Sequence, residues 1–501
     1  MKIRALKILA ASLSLLCLLL ASCATTSKTA QGAEGQESQG TQEEAAPQKK
    51  KKPAKKRVGR VRFDNEAYDQ AVKDQDFDKA YGMIETLGSK ANIAKMLDQS
   101  LILFRGGFYE EADKKFDQTT KALDDAFAKS IIQGAATTIL NENLKEYSGT
   151  LYEFLLVDTF AALNAYKMGD VELAHVLLTR VYEKQKKYVA DYGELVLRDE
   201  DDSSKKDGSA GPKEMEAGLS MIGVTFHVPS DIPPKLTNAQ KDSLIYKTSP
   251  LADYLQIVIS AQNGSYVDDF TVRELKSLVP QIETDSAELP YAKGRIEVLA
   301  LTGTIAQRKE HTDWLAIDLL DIGRTISTYA GYENALRFKY VWPECLPQKD
   351  VVKATRVTIQ GQGQNLSKQV ILLEDFDKAA INDVNLKAHK AAWRSVWRST
   401  SKKAAGLAGI IATVKNDPTE GFLTVVAIVA GAQGLRAIDK SEMADVRQSQ
   451  ALFSKAYTAG FTVDPGVYTV TVEYSNGTKE VVENVKVVSG RPVLVESLCQ
   501  K

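Results

Sequence analysis

The chain has 501 residues, of which 44% are hydrophobic and 26% charged, and its formal net charge at pH 7 is −1. This composition is that of a globular protein, and it excludes a disordered or collagen-like chain. The near-zero net charge gives no general attraction to nucleic acid, and the length allows roughly two to four domains.

The first residues have the layout of a secretory signal. A basic start that includes Lys2 and Arg4 precedes a mostly apolar run over residues 8–21. This run is short for a transmembrane helix, which needs about 20 apolar residues. The sequence LASC that ends at Cys23 resembles the lipobox of bacterial lipoproteins. The resemblance implies that residues 1–22 are removed and that Cys23 carries lipid, palmitate included. The alternative is an ordinary secretory signal with an incidental cysteine.

Ala24 follows the lipobox cysteine, and no acidic residue comes soon after it. By resemblance to the sorting rules of enteric bacteria, this favours the outer membrane. We therefore expect a protein of the bacterial cell envelope that is held by an N-terminal lipid anchor and faces the periplasm.

Residues 23–60 are polar and predict a disordered tether that spans about 35 Å root-mean-square. They contain the basic run KKKKPAKKR, from Lys49 to Arg57. Two interpretations stay open for this run. It could contact anionic lipid or peptidoglycan, or it could be a solvated spacer that repels itself and stays extended.

The chain contains four cysteines. Cys17 leaves with the signal and Cys23 is the lipid site, so Cys345 and Cys499 remain as thiols. In an oxidising compartment these two could pair and join the chain end to the middle. The sequence contains no CxxC motif, which argues against a zinc ribbon and against thioredoxin-like redox chemistry.

Residues 61–345 predict a helical domain. Three stretches resemble one another: KDQDFDKAYGMIETL, FRGGFYEEADKKFDQTTKAL and YKMGDVELAHVLLTRVYE. Each has a polar turn and then an alanine, and the spacings are close to one and two tetratricopeptide (TPR) periods of about 34 residues. The residues predicted to pack the repeats are Ala80, Ala112, Phe116, Gly169, Ala174 and Leu178. Helices are expected to continue to about Tyr340, with a similar stretch around Ala335. A generic helical bundle is the alternative.

Residues 346–501 predict a β domain with a helical insertion at about 376–440. VVKATRVTIQ and KQVILLEDF alternate like strands. In the tail, Tyr468, Val470 and Val472 would share one face of a strand. Asn476-Gly477 predicts a type I′ hairpin turn. The tail resembles half of a small β-sandwich that the earlier strands complete.

The helical insertion carries Trp393 and Trp397 at i,i+4 spacing, with Arg394 and Arg398 on the neighbouring face. The simpler interpretation is a packing stripe flanked by solvated arginines. An exposed Trp/Arg face would instead form a protein-binding surface. Two small-residue apolar segments follow, which favour a buried helical hairpin over a membrane-dipping one.

These features give an α+β multidomain fold, with a mainly helical TPR-like solenoid followed by a small β-sandwich-like domain. The arrangement resembles a poorly characterised family of bacterial TPR-type lipoproteins. The resemblance rests on the lipobox, on DTFAALNAYKMGDVELA, on the small-residue apolar segment, and on ADVRQSQALFSKAY followed by DPGVYTVTV. It implies an envelope protein with a link to cell-wall assembly, and it supplies no catalytic residue and no cofactor.

Three hypotheses for the function follow. The first is a tethered protein-protein interaction scaffold with an envelope protein partner. The second is a nutrient- or glycan-binding lipoprotein similar to the SusD type. The third is an enzyme, which has the least support because the four histidines are scattered and the sequence has no HExxH, GxSxG or phosphate-binding glycine loop. We therefore expect no catalytic residue, no metal and no nucleic-acid partner.

Overall fold

The structure, a computed structural model, describes residues 64–74, 76–87, 92–133, 147–198, 231–316, 337–349, 351–416 and 422–499. Helices and sheets both occur in them, so the expected α+β class is confirmed. The predictions for the signal segment, for Cys23 and for the basic run Lys49–Arg57 fall outside the described residues.

Most of the helices precede the strands. They are α1 (Asn65–Lys73), α2 (Phe77–Glu85), α3 (Ile93–Arg105), α4 (Tyr109–Gln133), α5 (Leu151–Lys167), α6 (Val171–Arg198), α7 (Asn238–Leu244), α8 (Pro250–Asn263) and α9 (Asp269–Leu278). A short 3₁₀ helix, Asp285–Glu288, follows them. Polar side chains cap many of their N-termini; Thr150 and Glu153, for example, form a capping box at the start of α5.

Consecutive helices of the first six pack against each other. The six residues predicted to pack the repeats lie where these helices meet. The alanines at 80, 112 and 174 are fully buried, and Phe116 and Leu178 are at most 2% exposed. Gly169 forms the turn between α5 and α6 with a φ of 84°, which glycine adopts readily. Small residues at these positions let paired helices approach closely.

The described residues include ten strands in three sheets. The strands are β1 (Gly294–Thr302), β2 (Gln307–Ala316), β3 (Arg337–Leu346), β4 (Ala354–Gly361), β5 (Gln364–Gln369), β6 (Ile371–Asp375), β7 (Lys455–Val463), β8 (Gly466–Tyr474), β9 (Lys479–Val487) and β10 (Pro492–Cys499). The first sheet has the order β10-β1-β7-β6, the second the order β5-β4-β8-β9, and β2 pairs with β3 alone. Among the strands that the structure describes, only β1 and β10 pair in parallel.

The two four-stranded sheets share one apolar cluster. Ile296 and Phe461 belong to it from the first sheet, and Ile359 and Val470 from the second. In β8 the alternation predicted from the sequence is confirmed, since Tyr468, Val470 and Val472 are at most 1% exposed. The opposite face of the first sheet carries Leu299 and Leu301 into the core that the helices form. The first sheet is therefore buried on both faces, between the helices and the second sheet.

The expectation of helices up to about Tyr340 is wrong, because β1, β2 and part of β3 occupy that region. All nine residues of β1 are buried. Arg295 and Glu297 alternate with Ile296 and Val298, but Leu299 and Leu301 follow on the same face as the charged pair. The alternation therefore stops after four residues, and the apolar run VLAL resembles part of a buried helix. Ala335 lies outside the described residues, but Arg337–Leu346 next to it forms a strand that pairs with β2.

The helical insertion is confirmed as α10 (Phe376–Asn416) and α11 (Phe422–Ser441), which pack against each other. Helix α10 also packs along β3. No helix within the described ranges is long and apolar enough to cross a membrane.

The turn between β8 and β9 differs from the predicted type I′. Only Gly477 has a positive φ, of 83°, whereas type I′ requires positive φ at both central residues. Gly477 N donates to Tyr474 O at 3.0 Å, and Tyr474 N donates to Thr478 O at 3.0 Å. The side chain of Asn476 accepts from Thr478 N at 3.1 Å. Asn476 does not take a positive φ, so glycine alone adopts the left-handed conformation in this turn.

Cys345 and Cys499 are buried thiols that are not linked by a disulfide. Cys345 belongs to the helix-side core and Cys499 to the cluster between the two sheets. Burial raises the pKa of the Cys345 thiol to about 11. The bridge considered from the sequence is therefore absent from this structure.

Candidate functional site

A cleft of about 720 Å³ opens beside β6. Its walls are the chain from the end of α7 to the start of α8, the C-terminal part of α9, strand β6 and the first turn of α10. This volume lies within the range of ligand-binding clefts, about 300 to 1,000 Å³. The cleft is therefore large enough to hold a ligand of several residues.

Strand β6 is an edge of the first sheet. It pairs with β7 on one side, and no other strand among the described residues pairs with it. All five of its residues, Ile371 to Asp375, line the cleft. Successive side chains of a strand point to opposite faces. A cleft that touches every residue of β6 therefore runs along its edge.

Two leucines are exposed at the cleft, beside the exposed charged side chains of Asp242, Lys247 and Lys378. Leu278 of α9 is 47% exposed and Leu372 of β6 is 44% exposed, and both line it. Exposed leucines beside a concave surface are typical of interaction sites. The entrance thus combines an unpaired strand edge with apolar contact area.

Glu374 joins three of the cleft's walls. From β6 it accepts hydrogen bonds from Tyr246 Oη, from Ser249 Oγ at 2.8 Å and from Leu251 N at 2.9 Å. Ser249 and Leu251 lie at the N-terminus of α8, where a carboxylate satisfies an orphan N–H. Burial raises the pKa of Glu374 to about 7, although these three hydrogen bonds oppose the rise.

Two further carboxylates lie beside Glu374. Burial, together with the charges of Glu274 and Glu374, raises the pKa of Asp253 to about 8. Its Oδ2 atom is buried and has no hydrogen-bond partner among the described residues. Glu274 lines the cleft and accepts from Thr248 Oγ1 at 3.0 Å. Of these three carboxylates, Glu274 and Glu374 line the cleft, whereas Asp253 lies behind them and does not.

A second notable feature is the docked segment, residues 444–454, an irregular stretch with several bends that lies against α3 and α5. Asp98 Oδ1 accepts from Ser449 Oγ at 2.7 Å, from Gln450 N at 2.7 Å and from Ala451 N at 3.0 Å. Glu153 Oε1 accepts from Ser449 N at 2.6 Å. Helical carboxylates thus hold the backbone of this segment.

A buried arginine holds the other end of the docked segment. Arg105 Nε donates to Ala451 O at 2.9 Å, and the guanidinium lies 3.5 Å from the ring centroid of Phe453. Burial lowers the pKa of Arg105 to about 9, although the charge of Asp98 opposes the change. These helices therefore already bind a segment of the chain itself.

The docked segment begins with Ala444-Asp445-Val446-Arg447, the ADVR of the stretch ADVRQSQALFSKAY. Arg447 donates to Asp445 through Nε and Nη2, both at 2.8 Å. Arg308 Nη1 donates to Arg447 O at 3.2 Å. The pair is partly exposed and its charges are satisfied internally, so the element orients the chain as it enters the docked segment.

The predicted Trp face is not an open surface. Trp393 and Trp397 are both partly buried, and Trp393 lies edge-on to His389 with ring centroids 6.4 Å apart. Arg398 is not solvated as expected, because it is 6% exposed and its Nε donates to Glu442 at 3.2 Å. None of the four tryptophans, all in the described ranges, is exposed. A sugar-stacking platform of tryptophans is therefore not present.

The nearest carboxylates to His311 are not its sequence neighbours. Its Nδ1 lies 2.6 Å from Glu344 Oε1 across the β2–β3 pair, and its ring stacks on Trp342 with centroids 3.9 Å apart. None of the three histidines in the described ranges, His175, His311 and His389, lines the cleft. In the described part of the chain, no group of three or more His, Cys, Asp or Glu side chains could hold a metal ion.

The cleft residues were not singled out in the sequence. Glu374, Asp253 and Glu274 come from three separate elements, and only the fold brings them together. A signal for part of the site existed in TSPLADYL, where Ser249-Pro250 predicts a helix start and places Asp253 in its first turn. The other signal was Glu374, the first of the two acidic residues that end VILLED on β6.

No protein-family model, no curated protein and no solved structure matches this chain in the three comparisons.

Proposed function

We propose that this chain is a lipid-anchored protein of the bacterial cell envelope whose body binds an extended polypeptide in the cleft beside β6. The observation that carries the proposal is the unpaired edge of β6, which opens along its whole length into a 720 Å³ cleft with exposed leucines at the entrance. It is a scaffold rather than an enzyme, as the sequence also favours.

A polypeptide could bind here by adding a strand to the first sheet. In this mode, main-chain hydrogen bonds give affinity and pockets for alternate side chains give specificity. Five residues of strand extend over about 17 Å. The leucines of α9 and β6 at the entrance would contact the apolar side chains of such a ligand.

The helices are a less favourable site for the partner. TPR arrays bind extended peptides on their concave face, and α1 to α6 agree with a TPR-like stack. Here, however, Asp98, Glu153 and Arg105 already hold the docked segment. In this proposal the helical solenoid binds a segment of its own chain. The two facing sheets form a β-sandwich-like unit, and its edge strand β6 is available to bind a partner.

The lipid anchor would determine where in the cell the cleft is located. With lipid on Cys23 and a tether over residues 23–60, the body would search the periplasm near the outer membrane. Tethering raises the effective concentration of the cleft for envelope partners without any new contact. The basic run Lys49–Arg57 would assist through anionic lipid or peptidoglycan. A link to cell-wall assembly is part of this proposal.

A SusD-like glycan-binding role is the alternative, and the structure offers it less support. Sugar-binding proteins of that type stack ligands on exposed aromatic rings, and the four tryptophans here are partly or fully buried. The cleft itself is lined by aliphatic and charged side chains, with Tyr246 as its aromatic residue.

Site-specific photo-crosslinking in cells tests the proposal. A benzophenone amino acid replaces Leu372 at the cleft entrance in the full chain. The matched control replaces Val481, which is 53% exposed on β9, an edge strand of the second sheet that does not line the cleft. We expect adducts at position 372 that map by mass spectrometry to one short segment of one envelope protein. Identical adducts at both positions, or none at 372, would contradict the proposal.

The same experiment with Cys23→Ala tests the anchor separately. If lipidation brings the cleft to its partner, the adducts at 372 fall strongly in this variant while the protein level stays constant. Adducts that persist unchanged would show that the cleft binds without the anchor.

A further inference from the structure

A small pocket lies near the loop that joins α8 to α9, whereas the cleft lies at the other ends of these two helices. Its volume is about 110 Å³, and its walls come from α6, from α8, from that loop and from the first turn of α9. Among the described residues, none that lines the pocket also lines the cleft. The volume exceeds the ~10–15 Å³ that one water needs and is below the ~300 Å³ of a site for a larger ligand. The pocket is therefore large enough for one compact chemical group.

The lining of the pocket is polar but almost uncharged. Of the nine described residues that line it, seven carry a hydroxyl, an amide or a carboxylate, and only Asp268 carries a charge. One oxygen of Asp268 already accepts from Phe270 N at 3.2 Å, as the N-cap of α9. No Lys or Arg is among these nine residues, so an anionic ligand would find no counter-charge. Hydroxyl and amide groups both donate and accept, which matches a neutral ligand that is rich in hydroxyls.

Gln256 has an amide that the protein bonds at one end only. Its Nε2 donates to Ser260 Oγ at 3.0 Å, and its Oε1 is buried without a hydrogen-bond partner among the described residues. If the amide is turned over, Ser260 still bonds one end and leaves the other. Buried side-chain polar atoms are rarely left unpaired in native proteins. Gln256 lines the pocket and is only partly buried, so a small rotation brings its free amide end to a ligand hydroxyl.

Tyr266 supplies an exposed aromatic ring beside these polar groups. It lines the pocket and is 78% exposed, and Tyr182 of α6 lines the pocket as a second, partly buried ring. Tyrosine combines a large apolar ring with a polar tip, and exposed apolar area beside a concave surface is typical of interaction sites. A sugar has the complementary character, because its C–H groups form an apolar face and hydroxyls surround its ring. The pocket therefore offers contacts to both parts of a sugar.

We propose that this pocket binds one neutral sugar unit, whose C–H face packs on the ring of Tyr266 and whose hydroxyls bond to Gln256 and Thr179. Thr179 Oγ1 donates to His175 O at 3.0 Å, which leaves its oxygen able to accept from the ligand. The unit can be a free sugar or part of a glycan polymer such as peptidoglycan, because both present the same ring. This site goes beyond the proposed function and does not depend on the cleft.

Ligand-observed NMR titration of the full chain tests this inference. The neutral probes are linear trisaccharides of glucose, of mannose and of N-acetylglucosamine, and the mismatched probe is the trisaccharide of galacturonic acid, which carries carboxylates. The variants are Tyr266→Ala and Tyr266→Trp. The control is Tyr291→Ala, which removes a tyrosine that is 87% exposed and does not line the pocket. Because both tyrosines are exposed, all these variants are expected to fold.

We expect at least one neutral trisaccharide to bind with a dissociation constant on the order of 1 mM. Tyr266→Ala should weaken this binding about tenfold, because it removes the apolar area that the sugar covers. Tyr266→Trp and Tyr291→Ala should preserve it. The acidic trisaccharide should bind at least about tenfold more weakly than the neutral one, because Asp268 repels its carboxylates.

Co-sedimentation of the same variants with purified peptidoglycan identifies the source of the sugar. Peptidoglycan binding that only Tyr266→Ala removes would assign the unit to this polymer, and trisaccharide binding without peptidoglycan binding would assign it to a free sugar. The inference is overturned if neither the neutral probes nor peptidoglycan bind, if Tyr266→Ala and Tyr291→Ala have the same effect, or if the acidic probe binds as tightly as the neutral ones. The adducts expected at position 372 do not involve Tyr266, so they test the proposed function separately.

Discussion

Arg295 occupies the space in which any side chain at position 460 would begin. A Cβ atom built on Gly460 would lie 2.1 Å from Arg295 Nη2 and 2.5 Å from Glu297 Oε2. The guanidinium has little room to move, because it is buried and donates to Glu297, Asp285 and Glu283. Glycine at this position of β7 is therefore what permits the ion pair on β1.

We expect Gly460→Ala to lower the free energy of unfolding by about 2–4 kcal/mol, because it overpacks the site and displaces a buried ion pair. Urea denaturation followed by circular dichroism measures this change. The control is Gly434→Ala in α11, where a Cβ meets nothing within 4 Å. Since alanine favours helix, the control should be neutral or stabilising by up to about 1 kcal/mol. Equal stability of both variants would contradict the packing argument.

Asp98 is the main anchor of the docked segment. Asp98→Ala leaves two backbone N–H groups, of Gln450 and Ala451, without their acceptor. We expect a loss of about 3–5 kcal/mol in unfolding free energy, since the carboxylate is fully buried and also pairs with Lys95. Hydrogen exchange should show faster exchange at these amides before global unfolding.

The matched control for Asp98 is Asp117→Ala. Asp117 pairs with Lys121 on the surface, with side-chain exposures of 61% and 72%. Exposed pairs of this kind contribute less than about 1 kcal/mol. If both variants lose the same stability, or if amide exchange at Gln450 is unchanged in Asp98→Ala, the carboxylate does not anchor the segment.

How far the sequence predicts this fold depends on the distance between interacting residues. The helical hairpins are predictable because Ala112 and Phe116, or Gly169 and Ala174, lie within one turn or two of each other. The docked segment is not, because Ser449 bonds to Asp98 across 351 positions of sequence. The residue pattern of one stretch therefore contains no information that it contacts the other stretch.

The same reasoning applies to β1 and to the cleft. The residues of β1 are buried on both faces, so the two-residue alternation that identified β8 covers only Arg295 to Val298 in β1 and then gives way to an apolar run. Asp253, Glu274 and Glu374 are ordinary acidic residues in their own elements. Only their common burial, which depends on how α8, α9 and β6 pack, raises the pKa of Asp253. Such a site becomes visible once the fold is known.

The raised carboxyl pKa values predict how stability depends on pH. The pKa of Asp253 is about 8 and that of Glu374 about 7, both above the ordinary carboxyl range. Between the unfolded and folded values the native state binds more protons, so the free energy of unfolding falls as pH rises from about 5 to 8. Each group contributes at most about 1.4 kcal/mol per pH unit.

Asp253→Asn, which cannot ionise, should flatten much of this slope and raise stability at pH 8 relative to the wild type. Asp117→Asn, which changes an exposed carboxylate, should keep the wild-type slope. Urea midpoints measured at several pH values give both slopes. A wild-type midpoint that is constant from pH 5 to 8 would show that Asp253 is ionised in the native protein.

Strand β10 is the other edge of the first sheet, and Tyr166 covers it. Its hydroxyl donates to Leu494 O at 3.2 Å and accepts from Leu494 N at 3.1 Å, so one side chain satisfies both backbone groups of this residue. An unprotected edge pairs readily with other chains. We expect Tyr166→Phe to cost about 1–2 kcal/mol and to promote self-association. Sedimentation velocity over a concentration series detects the association.

Tyr266→Phe, at a tyrosine that is 78% exposed, is the control and should leave the protein unchanged. If Tyr166→Phe also leaves stability and association unchanged, β10 does not need this hydroxyl for protection. In that case β6 is no longer distinguished from β10 as the edge that is open to a partner.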